Sequence, residues 1–284
     1  MNPARRADVT LIAACFLWGV SFVIVKDALM QSTPLAFLAM RFALATAAFA
    51  PFAGLGGGFS RAELGAGALL ALLLGVGFIA QTVGLVYTTP SRSAFIVGVS
   101  SVLAPPIAMI TLKERPRAMV IVALVLAAFG IWLLTNPDAG GLNRGDAVTL
   151  ITAVSFGGQI VAVAALSSRH SVIRLLWLQM AGAAVLAAVG APLFESVRVT
   201  WTAGLIGAVL FTALGATVLA LFLQLRAQSQ MSSSRAAVIF CSETLFAALT
   251  SWIVLGEKLT LTQWIGGALI IVGMVAVEWR RAPV

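Results

Sequence analysis

The segments SRSAFIVGVSSVLAPPIAMITLKER at 91–115 and SRAAVIFCSETLFAALTSWIVLGEK at 234–258 are two versions of one pattern. They lie 143 positions apart and align without a gap. Each opens with Ser-Arg, continues through an apolar run and ends in a Glu followed by a basic residue. Identical residues recur at this offset as Ser91/Ser234, Arg92/Arg235, Ala94/Ala237, Ile96/Ile239, Glu114/Glu257 and Gly130/Gly273. This regularity indicates an internal duplication.

The duplication extends over most of the chain. Gln81 aligns with Gln224 at the same offset of 143. Near the start of the chain an offset of 138 aligns Arg6, Asp8, Trp18 and Gly19 with Arg144, Asp146, Phe156 and Gly157. We therefore predict two related domains, 1–137 and 138–284. The connecting segment Asn136–Gly145 is rich in Pro, Gly and Asn, which is typical of a junction between structural units.

The composition is that of a membrane protein. Hydrophobic residues make up 61% of the chain, charged residues make up 10%, and the mean hydropathy is +1.04. A soluble globule of this size would need more polar surface. About 20 apolar residues span a hydrocarbon core of about 30 Å. We count ten such spans, near 8–28, 34–53, 64–87, 91–112, 117–135, 146–166, 172–193, 201–225, 233–255 and 261–279. Continuous apolar runs favour helices, so the predicted fold is all-α.

The distribution of basic residues predicts the orientation of these spans. The net charge is +8, but it follows the positive-inside pattern better than it fits nucleic-acid binding. With the N-terminus inside, 12 of the 18 Lys and Arg residues lie in inside segments, five lie outside, and Arg41 lies within a span. Both termini should be cytoplasmic. Because each half holds five spans, the second half must be inverted relative to the first. Inverted repeats are typical of transporters whose substrate site lies near the bilayer midplane, between the repeats.

The two aligned segments and the Trp18-Gly19 pair resemble the EamA-type branch of the drug/metabolite transporter superfamily. The second-span Arg41 also agrees with that pattern. The resemblance covers nearly the whole chain and is similar to the bacterial aromatic amino-acid exporters within the branch. It implies a multi-pass protein of the bacterial inner membrane that exports amino acids, other metabolites or drugs. Because one chain already contains both halves, we expect that no second subunit is required.

Polar side chains in the middle of spans are candidates for substrate contact because they are costly in a bilayer. Glu243 is the strongest candidate: it could bind a substrate ammonium group or carry a coupling proton, or it could be a protonated structural residue. Its counterpart at offset 143 is Ser100. The amides of Gln81, Gln159 and Gln224 could read the polar groups of a zwitterion, or they could join helices.

Aromatic residues form the second group of candidates. Trp18 lies in mid-span and aligns with Phe156, so the two could form facing walls of a central cavity, with helix packing as the alternative. Phe78 and Tyr87, both in the third span, could likewise line the cavity, again with helix packing as the alternative. An aromatic contact contributes about 0.5–1.5 kcal/mol beyond burial.

The residues that recur unchanged favour a structural interpretation. We expect Ser91 and Ser234 to cap helix amides and Arg92 and Arg235 to reach lipid headgroups. We expect Glu114 and Glu257 to bond loops or to gate the protein. Arg41 should snorkel or pair within the protein, with recognition of a substrate carboxylate as the alternative.

Several functions compete with a carrier. A membrane-embedded enzyme would need clustered acids, metal-binding histidines or an activated nucleophile. The chain has one histidine, and Cys15 and Cys241 both lie inside predicted spans, so we expect neither a catalytic centre nor a metal or cofactor. A channel usually needs a ring of repeated filter groups. The sequence therefore favours a secondary carrier that works by alternating access. Its expected cargo is an amino acid with an aromatic or hydrophobic side chain, with drugs, nucleosides and sugars as alternatives.

Overall fold

The chain folds into ten helices in the part that the structure describes. A computed structural model describes residues 3–54, 58–88, 90–135, 143–256 and 260–279. The helices are α1 (Pro3–Ala28), α2 (Pro34–Phe49), α3 (Arg61–Tyr87), α4 (Pro90–Thr111), α5 (Ala118–Thr135), α6 (Arg144–Leu166), α7 (Val172–Phe194), α8 (Ala203–Gln228), α9 (Ser233–Leu255) and α10 (Leu261–Trp279). The described residues form no strand, only one isolated bridge between Ser32 and Val199. The prediction of ten helices is confirmed.

Seven of the described helices are long and apolar enough to cross a membrane: α1, α2, α3, α6, α7, α8 and α9. The other three are apolar over the shorter stretches Ile96–Thr111, Ala118–Leu133 and Trp264–Gly273. The junction between the two predicted domains, at 137/138, lies outside the described residues.

The ends of several helices are fixed by short polar residues in the loops. Ser60 caps α3 in a capping box with Glu63, and Asn143 caps α6 in the same way with Asp146. These reciprocal bonds satisfy amides that a helix start leaves unpaired. The caps therefore set where each apolar run becomes a helix.

The helix α8 departs from the expected geometry. Its middle, Phe211–Leu219, is a π-helix between two α-helical parts. The apolar pattern of this span does not reveal the change, because a π-segment is as apolar as an α-helix. Such segments leave backbone carbonyls free for other donors and occur frequently at functional sites.

Most of the extensive helix contacts join the first five helices to the last five. α3 packs on α6 and α7, α4 packs on α6, and α1 packs on α8 and α9. The pairs α2/α7, α4/α9 and α5/α10 are also in contact. If α1–α5 are exchanged with α6–α10 in chain order, most of these contacts become other contacts of the same set. For example, the contact of α3 with α6 becomes that of α8 with α1.

Glycines bring two pairs of helices into backbone contact. A Cβ atom added at Gly19 of α1 would lie 2.5 Å from the Cβ of Phe246 and 3.0 Å from the carbonyl oxygen of Glu243, both in α9. A Cβ atom at Gly157 of α6 would lie 3.2 Å from the Cβ of Leu103 and 3.1 Å from the carbonyl oxygen of Ser100, both in α4. These are equivalent positions under the two sequence offsets.

Glycines at equivalent positions also bring α5 and α10 into close contact. A Cβ atom at Gly130 would lie 2.6 Å from the carbonyl oxygen of Gly266, and one at Gly273 would lie 2.8 Å from that of Ala123. Gly266 is 143 positions after Ala123, as Gly273 is after Gly130. Small residues at such crossings allow close van der Waals packing, which holds helices together where lipid replaces water.

Side chains join the halves at one end of the bundle. The side chain of Arg235 binds the carboxylate of buried Asp8, with a distance of 2.8 Å from Nε to Oδ1. The expectation that Arg235 reaches headgroups is therefore wrong, since only 7% of this residue is exposed. Asp8 on the facing helix supplies an anion that helps to offset the cost of burying this guanidinium. The side chains of Ser91 and Arg92, and all of Glu257, lie outside the described part.

The same end carries two further bonds between the halves. Arg174 pairs with Glu63 at 3.0 Å. Glu114 accepts hydrogen bonds from the Ser233 hydroxyl and the Ser234 amide at the start of α9. Burial opposes ionisation of Glu114, but these hydrogen bonds outweigh it and hold the pKa of its carboxyl below the usual range. Ser232, two residues before the expected Ser234, caps α9.

At the opposite end of the bundle, each of the following contacts includes at most one charged side chain. Lys26 donates to the carbonyl oxygens of Leu85 and Thr88 at 2.6 and 3.0 Å, and Thr88 donates to Asp146 at 2.7 Å. The carboxylate of Glu195 accepts from the amide of Leu35 at 3.0 Å. Each group of contacts joins segments that the charge pattern assigns to one side of the membrane.

We predict that Gly19→Ala lowers the thermal unfolding temperature by several degrees, because the added methyl group meets backbone atoms of α9 that have no room to move. The matched control is Gly207→Ala in α8, where an added Cβ meets nothing within 4 Å. The control should be neutral or slightly stabilising. Equal unfolding temperatures for the two variants in detergent would contradict the close contact of α1 with α9.

Candidate functional site

A cavity lies between three helices of the first half, α1, α3 and α4, and three of the second, α6, α8 and α9. The space between its lining side chains measures about 480 Å³, part of which is open to the surroundings. Its walls are formed by Trp18, Ser21, Leu74, Phe78, Gln81, Val97, Ser100, Phe156, Gln159, Ile160, Leu221, Gln224, Phe240 and Glu243.

The lining residues follow the sequence offsets. All but Leu74 and Ile160 fall into six pairs, each with one member from either half. The pairs at offset 138 are Trp18/Phe156 and Ser21/Gln159, and those at offset 143 are Phe78/Leu221, Gln81/Gln224, Val97/Phe240 and Ser100/Glu243. Equivalent backbone positions therefore face each other, but only the Gln81/Gln224 pair is chemically identical.

Aromatic rings form a large part of the walls. Trp18 stacks on Phe240 with a centroid distance of 5.9 Å and an interplanar angle of 21°. Phe78 meets Phe156 edge to face at 5.2 Å and 68°. The Trp18 indole is fixed further by a hydrogen bond of 2.8 Å to the carbonyl oxygen of Ala216 in the π-segment. These surfaces would favour a flat or apolar part of a ligand.

Three glutamines form a chain of amides on one side of the cavity. Gln224 donates to Gln159 at 3.1 Å, and Gln159 donates to Gln179 at 3.4 Å. Gln179 is fully buried behind the wall, so its role is to orient Gln159. The buried carbonyl oxygen of Gln224 has no hydrogen-bond partner among the residues that the structure describes. Such an unpaired acceptor could receive an N–H group from a ligand.

Glu243 is the one charged residue among the lining residues that the structure describes. It lies on α9, one residue after buried Ser242, at the point where α9 crosses α1. Within the described part of the chain its carboxylate makes no hydrogen bond and no ion pair. A carboxylate in this position attracts a cationic group or a proton, because a bilayer gives it no counter-charge.

Arg41 lies behind the wall rather than in it. Only 2% of it is exposed, and it donates from Nε to Thr217 Oγ1 at 2.7 Å and from Nη2 to the Ala216 carbonyl at 3.2 Å. Its guanidinium also lies 4.5 Å from the centroid of Phe78. Of the two expected arrangements, snorkelling and pairing within the protein, the structure shows the second, as hydrogen bonds.

Residues 5–136 and 143–279 match the EamA-like transporter family. The chain belongs to this family. An uncharacterized transporter of Archaeoglobus fulgidus is 34% identical over 274 residues, which cover 96% of this chain and 86% of the relative. The uncharacterized transporter YoaV of Bacillus subtilis is 22% identical, covering 93% and 94% of the two chains.

A solved crystal structure shares the fold with a TM-score of 0.80. It covers 98% of this chain, is itself covered to 99%, and is 18% identical in sequence. The resemblance to the EamA branch is therefore confirmed, and this EamA-family chain is a multi-pass membrane transporter. The resemblance to aromatic amino-acid exporters stays a prediction.

The structure brings together eight of the nine residues that the sequence singles out in this EamA-family chain: Trp18, Phe78, Gln81, Ser100, Phe156, Gln159, Gln224 and Glu243. Tyr87 is the exception. It ends α3 with 62% of its surface exposed and does not line the cavity. It lies less than two helical turns beyond Gln81, the last residue of α3 that lines the cavity.

Sequence reasoning missed six lining residues: Ser21, Leu74, Val97, Ile160, Leu221 and Phe240. A signal for two of them was present, because Ser21 is the offset partner of Gln159 and Leu221 is the offset partner of Phe78, both of which the sequence singles out. Val97 and Phe240 are offset partners only of each other. Leu74 and Ile160 carry no such signal, since an apolar residue in an apolar helix is indistinguishable from its neighbours.

Proposed function

We propose that this EamA-family protein is a secondary transporter that exports amino acids with aromatic or hydrophobic side chains, or related small metabolites. The observation that carries the proposal is the lining of the cavity: aromatic walls, three amides and one carboxylate that no described residue pairs with. An ammonium group would be held by Glu243, polar groups by Gln81, Gln159 and Gln224, and the apolar body by the rings. Ser100 would leave room opposite Glu243.

Transport would proceed by alternating access between two inverted five-helix repeats, 1–137 and 138–284. The matching of the family to two successive segments supports the repeats. The paired lining residues and the equivalent glycine crossings support a twofold relation between them. The excess of basic residues in alternate loops supports cytoplasmic termini and a bacterial inner-membrane location. One chain contains both halves, so no second subunit is required.

A second candidate function is export of drug-like organic cations. It is favoured by one observation: Glu243 is the only charged group on the described walls, so no basic side chain there meets a substrate carboxylate. Zwitterions and cations lacking a carboxylate can be compared directly as substrates, and that comparison separates the two candidates.

The inverted orientation predicts which loops face outwards. Cysteines introduced at Met30 in the first half and Arg198 in the second should react with a membrane-impermeant maleimide in intact cells. Cysteines at Arg115 and Ser168 should react only after permeabilisation. The native Cys15 and Cys241 are buried and should stay silent. Labelling of Met30→Cys and Arg198→Cys from opposite sides would contradict the proposed repeats.

Purified protein in liposomes should catalyse saturable counterflow of at least one labelled amino acid. We expect phenylalanine or leucine to compete better than glycine, because the larger side chains bury more apolar surface against the rings at about 25 cal/mol per Å². Protein-free liposomes supply the baseline. Absence of saturable flux for amino acids, aromatic amines, nucleosides and sugars would contradict the proposal, while flux of amines alone would favour the second candidate.

Glu243 is the candidate for both substrate binding and proton coupling. We expect Glu243→Gln to lower transport at least tenfold and to abolish any acceleration by a pH gradient, because glutamine cannot release a proton. Asp27→Asn is the control, since Asp27 lies at the end of α1 outside the cavity. Flux of Glu243→Gln that depends on the gradient as the wild type does would contradict the proton role. Lost gradient dependence with normal substrate affinity would contradict the binding role.

A further inference from the structure

The π-segment of α8 changes the hydrogen bonding of its own backbone. The amide of Ala220 donates to Gly215, five residues back, and to Thr217, three residues back. It does not donate to Ala216, which would be its partner in an α-helix. A carbonyl oxygen without this partner must find another donor inside the bilayer, because lipid supplies none.

Two side chains from the first half supply donors to that carbonyl. The indole of Trp18 reaches the Ala216 oxygen at 2.8 Å from α1, and Nη2 of Arg41 reaches it at 3.2 Å from α2. Nε of Arg41 is held by Thr217 Oγ1 at 2.7 Å, so the guanidinium spans two successive residues of the π-segment. The fork of donors on a guanidinium suits this geometry.

Arg41 also touches a second part of the cavity wall. Its guanidinium lies 4.5 Å from the ring centroid of Phe78 and 5.5 Å from that of Phe42, while Phe42 meets Phe78 edge to face at 5.3 Å. Phe78 in turn meets Phe156 in the wall. Arg41 therefore contacts Phe78 directly and shares an acceptor with Trp18. It lines no part of the cavity itself.

We propose that Arg41 is a positioning residue, which uses the π-segment of α8 to fix Trp18 and Phe78 and so sets the affinity of the cavity for aromatic cargo. The cavity's role in cargo binding rests on the proposed transport function. The positioning of the two rings does not. A guanidinium buried without a carboxylate in the described structure is costly, and its hydrogen bonds to the π-segment and its contact with Phe78 offset part of that cost.

The test uses two threonines of the π-segment that are both fully buried. Thr217→Val removes the acceptor for Arg41 Nε with little change of shape. Thr212→Val is the matched control, because the Thr212 hydroxyl bonds its own helix at Ala208 with a distance of 2.7 Å. Thr217→Ser restores a hydroxyl, and Arg41→Lys keeps the charge but loses the fork. Size-exclusion chromatography in detergent confirms that each variant is folded.

The first readout needs no cargo. Protein labelled with 5-fluorotryptophan gives one ¹⁹F resonance per indole, and the Trp18→Phe variant assigns the signal of Trp18. We expect this signal to shift or broaden in Thr217→Val and Arg41→Lys and to keep its wild-type position in Thr212→Val and Thr217→Ser. An unchanged Trp18 signal in Thr217→Val would overturn the proposal, as would an equal shift in Thr212→Val.

The second readout is counterflow with phenylalanine and alanine as probes. Thr217→Val should raise the half-saturating concentration of phenylalanine about three- to tenfold, the ratio expected for one perturbed buried hydrogen bond. The value for alanine and the maximal rate should stay the same. Equal losses for both probes, or a loss in maximal rate alone, would overturn the link to aromatic cargo. If the wild type moves neither probe, the proposed amino-acid function fails, while the ¹⁹F signal still decides whether Arg41 positions Trp18.

Discussion

The architecture depends on backbone contact at two glycine crossings, Gly19 against α9 and Gly157 against α4. Lipid tails are as apolar as leucine, so burial of apolar side chains gives membrane helices little reason to associate. Close packing and polar contacts supply the attraction instead. Each glycine lets its helix approach within reach of a carbonyl oxygen on the other half, that of Glu243 or that of Ser100.

These crossings also determine the shape of the cavity. The residue before each glycine is aromatic, Trp18 in one half and Phe156 in the other. A helix that presents its glycine to the facing backbone turns the preceding residue by about 100°, and both aromatic residues line the cavity. The same crossings hold Glu243 and Ser100 at the wall. Packing and the cavity lining therefore use neighbouring residues, and the close backbone approach leaves no room for a side chain at either glycine.

The halves share a backbone arrangement but differ in chemistry. Glu243 stands against Ser100, Gln159 against Ser21, and Arg41 corresponds to Gln179 at offset 138. In one half a guanidinium reaches the π-segment, and in the other an amide extends a chain of glutamines. A substrate with unlike ends would meet unlike groups in such a cavity. The polarity of the site thus comes from the differences between the repeats, and its location comes from their likeness.

Much of this could be predicted from the sequence, for physical reasons. Ten helices follow from continuous apolar runs, because a bilayer allows few other backbone structures. The lining residues that are polar or aromatic in mid-span stand out against the apolar background. The sequence could not show that Tyr87 lies outside the cavity, because hydropathy does not tell how far along a helix the cavity extends. The bond from Arg235 to Asp8 was missed because both lie near span ends, where an arginine has headgroups as an alternative partner.

The π-segment could not be predicted, since its pattern of apolar residues fits an α-helix equally well. It leaves the carbonyl oxygen of Ala216 to two side chains, those of Arg41 and Trp18, which lie 175 and 198 positions away in sequence. The hydrogen bond from Trp18 to Ala216 also bears on the proposed alternating access, because Trp18 is next to the Gly19 crossing. α1 carries Asp8, Trp18 and Gly19, so it binds Arg235, Ala216 and the backbone of α9 along one helix. A movement that separates α1 from α9 at one end must also act on the Trp18 wall. Opening of the cavity and a change in its binding surface would then be one event.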